Sequence, residues 1–336
     1  MITVLMPTYN CAKYLSITIK SILNQTYKDF EFLIINDGST DCTDDIVLYF
    51  NDERINYIKR SHNGKSECLN YGLEKAKFDT IIHMDSDDIA HPNLLNDQIQ
   101  LYNSLGDSYW VGTNYFVFND ENKKIIYPIN NPLNHNGIIK KMSLHGSISH
   151  AGSIVNKKVI IQLGGYMNLD AFEDYDIWLK GIRKVKFANN KHYLMYVRYR
   201  ENSLSRNNLS FKLKLHYKIQ KPFYDNRFKE NFNVESDIEE ILIRGWREYF
   251  FGNRFLSLRY WIKNPNTIFY DYRILFAALF ILMPTKYFIK FNEFRLRFRI
   301  IQFIKQFDPN YKKKQKYFSE LIENYYSDNS IFYKVQ

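Results

Sequence analysis

Apolar residues in the first 110 positions alternate between short continuous runs and longer stretches with helical spacing. Ile2–Met6 is an apolar run closed by Pro7, whereas Lys13–Gln25 places Leu15, Ile19, Ile22 and Leu23 at i, i+4, i+7 and i+8, the stripe of an amphipathic helix. Phe30–Ile35 reads as the next buried strand and stops at Asn36-Asp-Gly-Ser-Thr-Asp41, where turn residues lead into a helix from about Cys42 to Phe50. Ile55–Ile58 is a third strand, Ser66–Ala76 a helix, and Thr80–Met84 a fourth strand ending in Asp85-Ser-Asp-Asp88. Strands spaced by helices imply right-handed crossovers and a mostly parallel sheet, an α/β fold.

In an open parallel sheet, ligands bind outside the carboxyl ends of the strands. The polar clusters Pro7-Thr-Tyr-Asn10, Asp37-Gly-Ser-Thr-Asp41, His62-Asn-Gly-Lys65 and Asp85-Ser-Asp-Asp88 each follow a strand, so all four should meet on one rim. Neither G-x-G-x-x-G after the first strand nor G-x-x-x-x-G-K-[ST] occurs, which argues against a common dinucleotide fold and a P-loop. Further along come a strand over Tyr109–Phe118, a polar stretch, Ser149–Val155, and a helix near Lys157–Leu163 ending at Gly164-Gly165. Phe172-Glu-Asp-Tyr-Asp-Ile-Trp-Leu179 then opens a helix that is acidic first and basic by Lys180, Arg183 and Lys184, the polarity that suits a helix macrodipole.

Charge divides the 336 residues unevenly. Residues 1–110 carry 9 Lys+Arg against 16 Asp+Glu, 111–210 carry 14 against 7, and 211–336 carry 23 against 13. The net +10 therefore belongs to the last 126 residues, which also hold 32 of the 57 aromatic side chains. This predicts a domain over 1–210, in two halves, 1–110 and 111–210, followed by a basic, aromatic, mostly helical region over 211–336. Cys11, Cys42 and Cys68 form no C-x-x-C pattern and fit a reducing compartment. The longest uncharged apolar run, Ile274–Met283, is half of what a spanning helix needs, and the start lacks a signal-peptide pattern. A cytoplasmic protein, peripheral on a membrane face, is the expectation.

Asp85, Asp87 and Asp88 at a strand end would repel one another without a compensating cation, and hard divalent ions take carboxylate oxygens while bridging to substrate phosphates. A solvated acidic turn is the bland alternative; the shared rim favours a metal–diphosphate site. Five motifs occur here in one order: Pro7-Thr-Tyr-Asn10, Asn36-Asp-Gly-Ser-Thr-Asp41, Asp85-Ser-Asp-Asp88, Gly164-Gly-Tyr166, and Glu173-Asp174 with Trp178. Together they resemble the inverting family-two glycosyltransferases of GT-A fold, bacterial surface-glycan enzymes among them, over about residues 1–206. The resemblance implies a Rossmann-like nucleotide-diphospho-sugar domain, a UDP-sugar donor, and Mn²⁺ or Mg²⁺.

Carried over residue by residue, Pro7, Thr8 and Tyr9 would line the base and ribose, and Asp37 would accept the uracil imide proton. Asp85, with Ser86 beside it, would approach the ribose or metal; Asp87, with Asp88, would hold the metal on the diphosphate. A carboxylate is acceptor-only, which independently suits Asp37 to a base presenting an N–H. Lys65 sits where a cation could meet the uracil or diphosphate. Asp174 matches the catalytic base, which takes the acceptor hydroxyl proton as that oxygen attacks C1 opposite the diphosphate. Trp178 is either core or a sugar platform, and core is the safer reading. The chain departs from the family at Asn36, where a second acidic residue is common, and at Arg200, which replaces a histidine. An arginine there can clamp a diphosphate bidentately. His150 in Ser149-His-Ala-Gly152 is a further candidate on the acceptor side.

In the tail, Tyr287, Phe291, Phe294, Phe298 and Ile301 follow a helical stripe beside Lys286, Lys290, Arg295 and Arg297, which suits an interfacial helix on anionic lipid, a core face or an oligomer contact, although Phe294–Ile300 also alternates with the period of a strand. The expected function is transfer of one sugar from a UDP-sugar to a hydroxyl of a surface-glycan acceptor, including a lipid-linked one, with no nucleic-acid partner and homo-oligomerisation left open. Two rivals are a non-catalytic binding protein on the same fold and a sugar-phosphate nucleotidyltransferase. Asp87, Asp88 and Asp174 speak against the first, and the lack of a Gly-rich basic loop after the first strand against the second.

Overall fold

A computed structural model describes residues 1–169, 171–199, 209–225, 228–264, 266–271, 273–279, 281, 287 and 311–326. The chain divides into two compact units, one of residues 1–138, 147–200 and 310–336, the other of 139–146 and 201–309.

The first unit is built on a sheet with strands β1 (Ile2–Thr8), β2 (Phe30–Asn36), β3 (Ile55–Lys59), β4 (Thr80–His83), β5 (Ile89–Ala90), β6 (Tyr109–Asn119), β7 (Lys124–Ile129), β8 (Ile154–Asn156) and β9 (Lys186–Tyr199). The order is β3-β2-β1-β4-β8-β6-β9-β5, with β7 paired to β6. β3, β2, β1 and β4 run parallel, joined by helices α1 (Ala12–Leu23), α2 (Thr43–Tyr49) and α3 (Lys65–Lys75). This is the parallel half that the apolar runs predict. Every residue of β1 is buried, as a strand covered on both faces must be. Val4, Met6, Phe32, Ile34 and Ile82 pack with Leu15, Ile19 and Ile22 of α1 in one core. Each such fully buried aliphatic side chain contributes about 1.5–3 kcal/mol. On the other face α3 lies so close to β1 that a Cβ at Gly72 would stand 2.3 Å from Leu5 Cδ1.

The second half of the sheet is mixed: β8 pairs antiparallel with β4 and β6, β9 parallel with β6, and β5 antiparallel with β9. Around it lie α4 (Leu94–Leu105), α5 (His135–Met142), α6 (Lys157–Gln162) and α7 (Glu173–Gly181). β7 carries Pro128, which an outer strand tolerates because it pairs on one side only. The C-terminal helix Tyr311–Tyr326 belongs to this unit, where Phe318, Ile322 and Tyr325 pack with Ile17, Phe118 and Tyr196.

The second unit is helical throughout its described residues, with helices Leu209–Asp225, Phe228–Phe232, Asp237–Phe251, Arg254–Ile262, Thr267–Tyr270 and Arg273–Leu279. Ser236 and Asn253 cap two of these by accepting backbone N–H groups of the first turn. Tyr249, Trp261, Ile274, Ala277 and Ile281 form its core. Of the aromatic tail stripe only Tyr287 falls among the described residues; Phe291, Phe294, Phe298 and Ile301 lie outside them. Among the described residues no helix is long and apolar enough to cross a membrane. All three cysteines are free thiols.

Candidate active site

The turns after β1, β2, β3 and β4 come together as the strand order requires. Asp37 N–H donates to the Thr8 carbonyl (2.9 Å), Asn10 N–H to Ser39 Oγ (2.9 Å), and Thr40 N–H to Asn10 Oδ1 (2.8 Å), which ties the first two turns into one ledge. Gly38 has φ +73°, and a Cβ there would meet the backbone N of His62 at 2.8 Å, so only glycine fits between the second and third turns. Pro7 and Thr8 are buried in β1, whereas Tyr9 is 45% exposed and stacks on the His62 ring at 4.1 Å.

The fourth turn meets α7 through one lysine. Lys65 Nζ lies 3.1 Å from Asp85 Oδ1 and 3.1 Å from Glu173 Oε1. It sits at the first position of α3, where the chain emerges from the His62-Asn-Gly64 turn. Burial alone would lower its pKa, but the carboxylates of Asp85, Glu173 and Asp174 outweigh that and hold it well above the usual lysine value. Burial likewise opposes ionisation of Asp85, yet the Lys65 charge beside it keeps that carboxyl below its ordinary value.

Asp174 follows Glu173 in the first turn of α7 and accepts the Tyr175 N–H at 2.7 Å. Phe172, just before the helix, holds φ +66°, a left-handed conformation that costs a residue with a Cβ about 1–2 kcal/mol. At that corner Glu173 reaches Lys65 directly, and Asp174 stands next to it in the same turn. Burial, then the Glu173 charge, push the Asp174 carboxyl up to about 7, although Lys65 pulls the other way.

The turn after β4 separates its three aspartates. Asp88 is 4% exposed, and its Oδ1 accepts the backbone N–H of Arg198 at 2.9 Å. Burial and the neighbouring Asp87 and Asp85 charges raise its carboxyl well above the usual range. Asp88, expected beside Asp87 on the metal, is buried here and anchors β9 through the Arg198 N–H. Thr18 Oγ1 donates to the carbonyls of Ser86 (3.1 Å) and Asp88 (2.8 Å), and Arg198 Nε to that of Asp87 (2.7 Å), fixing the turn. Asp87 is left partly exposed. Among the described residues no group of three His, Cys, Asp or Glu side chains converges to hold a metal unaided. One or two carboxylates suffice where substrate phosphates complete the shell, so Asp87, with Asp85 beside it, fits such a shared site. Asp88→Asn should leave turnover within a few-fold, because an amide oxygen still accepts the Arg198 N–H. Asp87→Asn should lower metal-dependent turnover about 10²-fold or more, and steady-state rates against metal concentration separate the two.

Asp37 also takes an unexpected position. Its Oδ1 accepts the Asn63 N–H and its Oδ2 the Gly64 N–H, both at 2.9 Å, while His62 Nδ1 lies 2.8 Å from Oδ2. With the side chain 4% exposed, these contacts use the carboxylate to hold the third turn. Burial and the Asp37 contact push the nearby Cys68 thiol up to about 12. Asn36 donates to Asp44 and Tyr57 and accepts the Ser39 N–H, an internal role for the position where the family often has a second acid. Trp178 is 2% exposed and meets Trp110 edge-on in the core. Arg200 lies outside the described residues.

Comparison with known proteins places the chain among glycosyltransferases. The family model "Glycosyl transferase family 2" matches residues 3–164. The O-antigen biosynthesis glycosyltransferase WbnJ of Escherichia coli is 34% identical over 218 residues, 63% of this chain and 84% of that protein. The chain belongs to glycosyl transferase family 2. Two longer glycosyltransferases match over only 30% and 31% of their length. Among solved structures, S. aureus TarS with UDP-GlcNAc aligns with TM-score 0.52 at 17% identity, covering 75% of this chain and 82% of that one. The Pyrobaculum calidifontis mannosyltransferase PcManGT with GDP-Man and Mn²⁺ aligns with TM-score 0.55 at 16% identity, covering 92% and 87%. These neighbours share the GT-A fold.

In this glycosyltransferase the sequence motifs understate two residues. Glu173 makes a direct contact with Lys65, and Arg198 pins the 85–88 turn from inside. Arg198 gives a faint sequence signal, a charged residue directly after the apolar run Leu194–Val197, which as a buried cation requires partners.

Proposed function

We propose that the protein transfers a single sugar from a UDP-sugar to a hydroxyl of a surface-glycan acceptor, with inversion at C1 and with a divalent cation on the donor diphosphate. The observation that carries this reading is the Asp85–Lys65–Glu173 bridge, which sets the raised carboxyl of Asp174 beside the donor turn. A base must hold its proton weakly enough to lose it at neutral pH and strongly enough to take one from an alcohol, and a carboxyl near 7 suits that task.

Tyr9, exposed and stacked on His62, supports base binding at the rim, with Pro7 and Thr8 as the wall behind it. Asp85, Ser86 and Asp87 would face the ribose and diphosphate, and Lys65 would offer its ammonium to the phosphates. A divalent cation held by Asp87, with Asp85 beside it, would supply charge neutralisation for the leaving diphosphate. Asp174 takes the acceptor proton from the face opposite the leaving group, and Glu173 keeps Lys65 within reach. Arg200, which follows β9 in sequence, is proposed as a further diphosphate contact. The likeness to an O-antigen enzyme supports a glycan acceptor, and the net +10 borne by residues 211–336 supports a site at an anionic membrane surface where such acceptors are lipid-linked.

Release of free nucleotide from UDP-Glc, UDP-Gal, UDP-GlcNAc, UDP-GalNAc and GDP-Man, with and without EDTA, tests the reading. One UDP-sugar is expected to be hydrolysed in a metal-dependent way. Turnover of GDP-Man alone would move the donor class, EDTA-resistant turnover would remove the metal, and no turnover of any donor would refute the proposal.

A further inference from the structure

The helix Arg254–Ile262 in the second unit is apolar on two sides, and among the described residues only one of them is covered. Ser257 and Trp261 face inward, where the Trp261 ring meets Trp246 (5.0 Å) and Tyr249 (5.7 Å) of the helix Asp237–Phe251. Phe255, Arg259 and Ile262 stand at i, i+4 and i+7, which places them together on the opposite face. Phe255 is 62% exposed and Ile262 70%, and Arg259 between them and Lys263 after them are exposed as well. The Thr267 hydroxyl donates to the Trp261 carbonyl at 3.0 Å, and the chain turns there into the short helix Thr267–Tyr270, whose last residue, Tyr270, is 71% exposed.

A single exposed apolar side chain is ordinary on a folded surface. Three large ones set among cations, with no acid nearby, are not. Residues 249–270 carry Arg254, Arg259 and Lys263 and no Asp or Glu. The acids that bracket this stretch are turned inward: Glu248 accepts the Tyr217 hydroxyl and the Asn253 N–H, and Asp271 accepts the Trp246 indole N–H. Their side chains are 5% and 8% exposed, so neither lends the face a negative charge.

The occupant must therefore take apolar groups and positive charge together. A soluble polyanion would meet the cations and gain nothing from Phe255 and Ile262. A second copy docked face to face would oppose cations with cations. An anionic bilayer accepts both, with Arg259 and Lys263 at the charged headgroups, Phe255 and Ile262 entering the acyl boundary, and the amphipathic ring of Tyr270 at the interface between them.

We propose that the face formed by Phe255, Arg259, Ile262 and Lys263, with Tyr270, docks the protein on an anionic lipid bilayer. The inference rests on the functional reading above for its purpose, access to a lipid-linked acceptor, and not for the contact itself.

Co-sedimentation of the full chain with vesicles, in the absence of donor and metal, tests it. Vesicles of phosphatidylcholine alone are compared with vesicles holding about one third phosphatidylglycerol, which the wild type should bind about tenfold more tightly or better, and less tightly as salt is raised. Arg259→Gln with Lys263→Gln should lower partitioning onto the anionic vesicles about 10–30-fold, and Phe255→Ser with Ile262→Ser about tenfold or more. Ile262→Trp should raise it. These side chains lie at the surface, so every variant should keep the wild-type thermal midpoint. A lowered midpoint in the double serine variant would mean that another part of the chain covers this face, and a vesicle-free wild-type dimer that the same variant splits would mean that a second copy does; either overturns the proposal. Anionic-vesicle binding that no variant changes overturns it as well, and leaves the membrane reading to a different element. Failure of the wild type to bind either vesicle overturns the docking face and the membrane site together, while nucleotide release from the UDP-sugars still decides the transfer reading on its own.

Discussion

Asp174→Asn should lower kcat by about 10²–10⁴-fold and leave the KM for the donor within a few-fold, the loss expected for a general base that does not hold the nucleotide. The wild type should also show the titration of that group. Because the carboxyl is pushed up to about 7, kcat/KM should fall about tenfold for each pH unit below that value and level off above it, and the limb should vanish in the residual activity of the variant. Stability moves in the opposite sense. The folded pKa lies above the unfolded value of about 3.9, so the folded state holds the proton more tightly. The stabilisation this gives is complete below pH 4 and is lost as pH rises through 7. An asparagine carries no such charge, so at pH 8 the variant's thermal midpoint should equal or exceed that of the wild type. A variant within tenfold of full activity, or one less stable at pH 8, would sink the assignment.

The parallel half of the fold was legible because its strands are buried on both faces and announce themselves as unbroken apolar runs. Ile2–Met6 and Phe30–Ile35 need no tertiary information to be recognised, and the turns after them are composed of residues that only turns favour. β9 was not legible. Its first half includes Asn189 and Asn190, poor strand formers by composition, and they are tolerated because their side-chain amides donate to the carbonyls of Pro132, Ser147 and Asp97. Such bonds to distant loops leave no periodicity.

The site shows the same division. That Asp85, Asp87 and Asp88 gather at a strand end follows from the sequence, but which one points inward depends on β5 pairing with β9, where Ile89 lies opposite Tyr196. That register brings the Arg198 N–H to Asp88. Asp37 is a parallel case: the chemistry of an acceptor was legible, while the donors that claim it, Asn63 and Gly64, lie 26 and 27 residues away. The C-terminal helix gave an aromatic signal whose packing partners, Phe118 and Tyr196, only the folded chain reveals.

Arg198→Met should be the most damaging substitution outside the reacting groups, at about 1.5–3 kcal/mol of unfolding free energy. The Arg198 side chain is fully buried, with its guanidinium bonded to Asp120 through Nη1 and to the Asp87 carbonyl through Nε, and sandwiched between the rings of Tyr14 (4.4 Å) and Phe118 (4.8 Å). Methionine keeps much of the volume but takes one of two cations from the Asp120 carboxylate, whose side chain is 17% exposed and whose Oδ1 also holds Lys123 Nζ at 2.8 Å. Part of the loss comes from the weakened compensation of that charge, so Arg198→Met with Asp120→Leu should recover some of it, as a double-mutant cycle by urea unfolding would measure. Function should respond separately. The backbone N–H of residue 198 still anchors Asp88, but the Asp87 carbonyl loses its partner, so the metal concentration for half-maximal turnover should rise about 10–100-fold. A double variant as unstable as the single one would show that the guanidinium's stacking on Tyr14 and Phe118, and not its charge, holds the 85–88 turn. An unchanged metal requirement would show that the turn keeps its shape without Arg198.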